Sequence, residues 1–287
     1  MEKQVVDKVI DEIIDNQSEE DLGNKDNTYL GEDGLKYCNK CGETTQQYRP
    51  KVFSPDKFIA YRACKCVREL EILQENEKIA REQQEAFRKR QNDCFGESKA
   101  MYKFTFENST STAETTEYAK RLADEFEKYK NTSSGVLFWG KSRMTKTYTA
   151  CAIANEIMKQ GYTAKLIKLT DVIMDVYKEV DKNKFLSELR SYDLLIIDDL
   201  GVERNTPYNL ELIQKIIDER LSIEKPMIIT SNLTLDEIKN PTNREIARIY
   251  TRIYENCVPI LFSDDSGVDK DVNKRLIAEI LAGGQDE

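Results

Sequence analysis

From Gly135 onward the chain alternates short continuous apolar runs with longer stretches in which apolar residues recur every three or four positions. The short runs read as strands buried on both faces and the periodic stretches as amphipathic helices. The pattern predicts helix 114–129, a strand opening at Gly135, helix 146–160, strand 162–169, helix 171–189, strand 192–198, helix 208–223, strand 226–231, helix 243–256, strand 258–262 and a last helix near 272–282. Strands separated by helices of this length require right-handed crossovers, hence a parallel sheet covered on both sides, and such sheets bind ligands at the carboxyl ends of their strands.

Upstream the pattern is different. Residues 1–33 are acidic, with Val5, Val6, Val9, Ile10, Ile13 and Ile14 grouped at the start; that set suits a short amphipathic helix, either a partner-docking element or a frayed terminus, followed by a solvated linker. Residues 34–68 reverse the charge balance and carry four cysteines. Residues 69–99 form a connecting segment whose stretch 68–92 lacks Gly and Pro and is rich in Glu, Gln, Lys and Arg, which predicts a largely solvated helix. The expected division is thus 1–33, 34–68, 69–99 and 100–287.

Composition narrows the chemistry. The absence of histidine excludes every histidine-based mechanism, and a net charge of −9 argues against a protein that coats duplex DNA through a global positive field. No apolar run reaches the roughly 18 residues of a membrane span and the N-terminus has no signal-peptide pattern, so a cytoplasmic protein with no membrane partner is expected. Seven cysteines in such a chain point to thiols or metal ligands. Cys38-x-x-Cys41 and Cys64-x-Cys66 are two close pairs that can complete a tetrahedral zinc site made of four thiolates. Between and beside them Lys51, Lys57, Arg62, Lys65 and Arg68 interleave with Tyr48, Phe53, Phe58 and Tyr61, a mixture suited either to stacking single-stranded nucleic acid or to packing a small metal-centred domain. Cys94 lies beyond and reads as structural.

GVLFWGKSRMTKT (135–147) places Gly140, Lys146 and Thr147 where a phosphate-binding loop needs its first glycine, its lysine and its magnesium-binding hydroxyl. Thr145 stands where the pattern has glycine. If that position is left-handed, a threonine costs roughly 1–2 kcal/mol more than glycine, so weakened nucleotide binding is expected. The apolar run 194–197 ends in Asp198 and Asp199. By position, Asp198 serves the magnesium, directly or through water, and Asp199 the attacking water. Strand 226–231 leads to Asn232, within reach of the same space, and Arg244, Arg248 and Arg252 recur at four-residue spacing on one helix face.

These segments together, FTFEN, FWG-x-x-x-x-x-KT, YDLLIIDDLG, IIDERL, KPMIITSNL and RIYTRIYENC, resemble the DnaC/DnaI/IstB group of AAA+ ATPases over about residues 100–264, and the upstream cysteine pairs resemble the zinc-containing N-terminal domain of the DnaI-like branch. The resemblance implies an α/β P-loop NTPase fold of the AAA+ type, three layers around a parallel sheet, with a small N-terminal four-cysteine zinc domain and a connecting helix. It implies a helicase loader that binds ATP, Mg2+ and Zn2+, meets a replicative DNA helicase and single-stranded DNA, and assembles head-to-tail with itself. Asp198 and Asp199 match the Walker B acids, Asn232 sensor 1, and Arg252 the arginine finger, with Arg248 as alternative. Arg143 and Thr145 depart from the family's loop glycines. Near the end, Gly267-Val268-Asp269-Lys270-Asp271 departs from the family's sensor 2 arginine pattern, leaving Lys270 or Arg275 as substitutes. A weak ATPase is therefore expected, with a catalytically silent adaptor or an IstB-like transposition helper as alternatives.

Overall fold

The computed structural model describes residues 27–50, 57–109, 113–141, 145–177, 182–202 and 206–262. The readings placed on the N-terminal amphipathic segment, on Lys51, Phe53 and Arg143, on the helix near 272–282 and on Lys270 and Arg275 lie outside these residues. Two compact units divide at Gln84/Glu85.

Among its described residues the smaller unit has two antiparallel strand pairs and a helix. Strands β1 (Thr28–Leu30) and β2 (Lys36–Cys38) form one pair, and β3 (Gln46–Pro50) and β4 (Lys57–Tyr61) the other. Helix α1 (Lys65–Phe95) begins immediately after Cys64. β1 falls in the stretch expected to be an acidic linker: Thr28 pairs with Cys38, so a domain boundary at 34 would cut a hairpin. The apolar interior is slight, with Leu35, Cys38 and Cys64 its buried hydrophobic residues among those described, while Tyr29, Leu30, Tyr48, Ile59 and Tyr61 are exposed.

The larger unit has helices α2 (Ala113–Asp124), α3 (Phe126–Tyr129), α4 (Lys146–Lys159), α5 (Leu169–Tyr177), α6 (Lys182–Ser191), α7 (Pro207–Ser222), α8 (Leu235–Lys239) and α9 (Arg244–Asn256). They surround strands β5 (Gly135–Trp139), β6 (Ala164–Lys168), β7 (Leu194–Leu200), β8 (Met227–Ser231) and β9 (Cys257–Leu261). All strand pairs are parallel, in the order β6-β7-β8-β5-β9. The period-2 alternation divides the buried side chains between two cores. Val136, Phe138, Leu194 and Ile196 join α2, α3, α4 and the last turns of α1 on one face; Leu137, Leu195, Ile197 and Ile229 join α5, α6, α7 and α9 on the other.

The helix expected over 171–189 is described in two stretches, α5 and α6, with 178–181 outside the described residues. Two expectations shift. The helix expected over 68–92 runs from 65 to 95, and its end is not solvated linker. Cys94 and Phe95 are buried in the first core, and the Gln91 amide donates to Asn155 at 2.8 Å. The strand expected to stop at Asp198 continues to Leu200, so both acids lie inside β7.

Candidate functional site

Gly140, at φ +134°, follows β5 directly. A Cβ there would meet the Phe262 carbonyl oxygen at 2.2 Å, so the close approach of the chain after β9 suffices to demand glycine. Lys146 opens α4 and is buried. Its ammonium donates to the Gly140 and Lys141 carbonyls at 2.9 and 2.8 Å, closing the loop upon itself. Burial pulls this ammonium below the usual lysine range, against the opposing charges of Asp199 and Asp198. Thr145 has φ −73° and ψ 26°. The expected left-handed strain is therefore not present: a β-branched residue sits comfortably on the right-handed side just ahead of the helix.

Thr147, in the first turn of α4, donates its hydroxyl to Asp198 Oδ1 at 2.7 Å. Asp198 is 1% exposed and the same oxygen accepts from the Thr230 hydroxyl at 2.7 Å. Asp199 stands at φ +60°, uncommon for a residue with a side chain. Its backbone N–H donates to Thr230 Oγ1 at 3.0 Å. Burial and the Asp198 charge raise the Asp199 carboxyl above the ordinary carboxylate value, while Lys168 and Lys146 oppose them. Lys168 lies directly across from Asp198 in the β6–β7 register.

The structure thus brings Gly140, Lys146, Thr147, Asp198 and Asp199 together. Asn232 follows β8 in an exposed position, one residue past Ser231, whose hydroxyl is spent on the Leu200 carbonyl at 2.7 Å. Arg252 is ion-paired with Asp218 of α7 in its own chain, while Arg244 and Arg248 are exposed. Asn243 caps α9 by accepting from Glu245 and Ile246. Sequence reasoning missed Thr230 and Lys168. The signal for Thr230 was a hydroxyl in an otherwise apolar strand interior. Lys168 carried only the signal of a charge at the carboxyl end of a strand.

A magnesium nucleotide fits this donor set. A hydroxyl already oriented by a buried carboxylate, beside a buried ammonium at a helix N-terminus, matches the needs of a hard cation and its phosphates.

In the smaller unit the Cys38, Cys41, Cys64 and Cys66 sulfurs lie within 4.8 Å of one another. A tetrahedral zinc with Zn–S near 2.3 Å sets sulfurs about 3.8 Å apart, so a small inward movement would complete the site. The first pair sits in a tight turn: Gly42 N–H donates to the Cys38 carbonyl at 2.8 Å, with Gly42 at φ +68°. Backbone N–H groups of Glu43 and then Cys66 draw the Cys41 thiol down to about 6, favouring the thiolate that binds metal. The second pair flanks the start of α1, where burial raises the Cys64 thiol, and burial with the neighbouring Cys41 pushes the Cys66 thiol up to about 11, so a bound cation would be what holds these two as thiolates. Glu43 joins the halves, accepting from the Lys65 backbone N–H and pairing with Arg68 at 3.0 Å and Arg62 at 3.5 Å.

Comparison with known proteins agrees with this geometry. Residues 61–252 match the family of IstB-like ATP binding proteins. The replicative helicase loader DnaC of Escherichia coli (strain K12) is 29% identical over 126 residues, covering 42% of this chain and 50% of DnaC, so the match spans about half the length of that relative. The replicative helicase loader DnaI of Bacillus subtilis (strain 168) is 23% identical over 243 residues, covering 80% of this chain and 74% of DnaI. A crystal structure of DnaI superimposes with a TM-score of 0.51 at 21% identity, over 59% of this chain and 96% of that one, which shows a shared fold. With a five-stranded parallel sheet, a buried lysine and a threonine opening a helix beside a buried strand acid, and a family match over most of its length, this chain belongs to the IstB-like ATP-binding proteins.

Proposed function

We propose that the protein is an ATP-binding helicase loader of DNA replication. The observation that carries the reading is the hydrogen bond from Thr147 to buried Asp198, with Lys146 alongside: groups suited to the magnesium and phosphate halves of a nucleotide seat lie together, which supports it. Thr147 and Asp198 would hold Mg2+, which neutralises phosphate charge. Lys146 would exchange its two loop carbonyls for phosphate oxygens. Asp199 would orient water and Asn232 contact the terminal phosphate. In a head-to-tail assembly Arg252 would leave Asp218 to reach a neighbour's phosphate, with Arg248 the alternative. Turnover by the single chain is slow in this reading, because the finger has to come from a neighbour.

The similarity to DnaI, over more of the chain than the larger unit alone comprises, supports a replicative helicase as partner. The smaller unit, holding one zinc through Cys38, Cys41, Cys64 and Cys66, is the proposed grip on helicase or single-stranded DNA. No helix among the described residues is long and apolar enough to cross a membrane; we place the protein in the cytoplasm.

Calorimetric titration with Mg-ATP, followed by co-sedimentation with the replicative helicase of the same cell, tests the reading. Binding of both supports it; ATP binding without the helicase would favour a transposition helper, and helicase binding without ATP a catalytically silent adaptor. Single-strand binding through four phosphates would give a log–log salt slope of roughly −3, at about −0.7 per contact. A flat salt response excludes that role.

A further inference from the structure

The ladder between β7 and β8 slips at the acid pair. Ile197 lies opposite Ile229, but Leu200 lies opposite Ser231, so β7 has one residue more than β8 across this interval. The extra residue makes a bulge, and bulges re-aim side chains beside active sites. The β8 residue facing the bulge is Thr230, 1% exposed. Its hydroxyl proton goes to Asp198 Oδ1 at 2.7 Å, and its oxygen accepts the Asp199 backbone N–H at 3.0 Å. One hydroxyl has the single donor and the spare lone pair to make both bonds at once.

Asp199 needs that acceptor. At φ +60° within a strand, its N–H has left the regular ladder, and a buried N–H without a partner is costly. Asp198 needs the donor, since a carboxylate 1% exposed is tolerated when hydrogen-bonded. Packing alone does not call for the hydroxyl: valine has the same shape and a high strand preference.

We propose that Thr230 is the positioning residue of the acid pair. Its hydroxyl fixes Asp198 in line with Thr147 and holds the bulge that turns Asp199 into the site, so one side chain on a neighbouring strand sets both carboxylates. The inference rests on the reading that this pair serves Mg-ATP.

The test uses the full chain with Thr230→Val, Thr230→Ser and Thr230→Ala. Calorimetry measures ATP affinity with magnesium and with chelator, and hydrogen exchange follows the Asp199 amide. Thr230→Val is expected to weaken Mg-ATP binding about tenfold, the scale of one lost hydrogen bond to a charged group, to change magnesium-free ATP binding less than about twofold on the same scale, and to speed exchange at the Asp199 amide. Thr230→Ser should restore both. Equal weakening with and without magnesium, or failure of serine to restore, overturns the proposal in favour of packing. If Thr230→Val does not fold, Thr230→Ala is read by the same criteria. If the unaltered protein binds no Mg-ATP, the nucleotide reading fails separately. The exchange rate then decides the matter: unchanged protection of the Asp199 amide in the valine or alanine variant overturns the positioning role.

Discussion

The two units solve the problem of stability in opposite ways. The larger one encloses its chemistry in two apolar cores on either side of a sheet, and its acid pair is set by strands that would be buried whatever they carried. The smaller one has almost no apolar interior among its described residues, and its four clustered cysteines are placed where a metal ion could hold it together. A functional side chain should therefore be removable from the first with the fold intact, and not from the second.

Metal removal sharpens this contrast most. Structural zinc contributes about 10–16 kcal/mol to folding in small zinc-finger peptides, so chelation, or Cys64→Ser, should unfold the smaller unit while the larger one keeps its cooperative melt. Limited proteolysis and circular dichroism read the outcome, and elemental analysis should give one zinc per chain. Simultaneous collapse of both units would break the comparison.

Phe126→Ala is the counterpart in the larger unit. This ring is fully buried and meets Tyr129 and Tyr162 edge-on at 5.2 and 5.0 Å. Its loss should cost about 3–5 kcal/mol by denaturant melt without changing metal content.

Lys146→Ala should weaken ATP binding about a hundredfold, since roughly 3 kcal/mol of charged contacts disappear. Thr145→Gly, by contrast, should change it less than about threefold, because the threonine is not strained. A large tightening by Thr145→Gly would restore the steric account suggested by the sequence.

Asp199→Asn should raise the melting temperature slightly at neutral pH. The carboxyl is raised in the fold, so the folded state binds the proton more tightly and loses stability as pH rises from the unfolded value, 3.8, through the raised one. Asparagine removes that cost and tolerates φ +60° well. The gain should vanish as pH falls below 3.8; a gain independent of pH would implicate the backbone alone. The smallest effect belongs to Arg252→Ala, whose half-exposed pair with Asp218 should contribute under about 1 kcal/mol.

Much of the larger unit was legible in the chain because its strands are continuous apolar runs that can be buried on both faces and in few other ways. The phosphate loop and the acid run were equally plain, being local in sequence. What escaped was set by pairing between strands. A register slip at Asp198 and Asp199 has no signature within β7 itself, since it depends on how many residues β8 supplies opposite. Thr230 acquires its part only through that slip. The exposed setting of Asn232 and the pairing of Arg252 with Asp218 likewise depend on helices and strands that are distant in the chain. The β1 strand escaped because three residues in an acidic stretch show no period; it is held by its partner β2 and by the Asn39 N–H donating to the Asn27 carbonyl beside it.

Gly140 carries a consequence for descent. Its lack of a side chain is enforced by the carbonyl of Phe262 at 2.2 Å from any added Cβ, with no reference to a phosphate. A lineage that abandoned nucleotides would keep this glycine for as long as it kept the sheet, whereas Lys146, a buried charge donating to two loop carbonyls among the described residues, would be free to drift toward an apolar residue. Among descendants of such a chain, the lysine records whether the nucleotide is still in use, and the glycine records only that the fold survives.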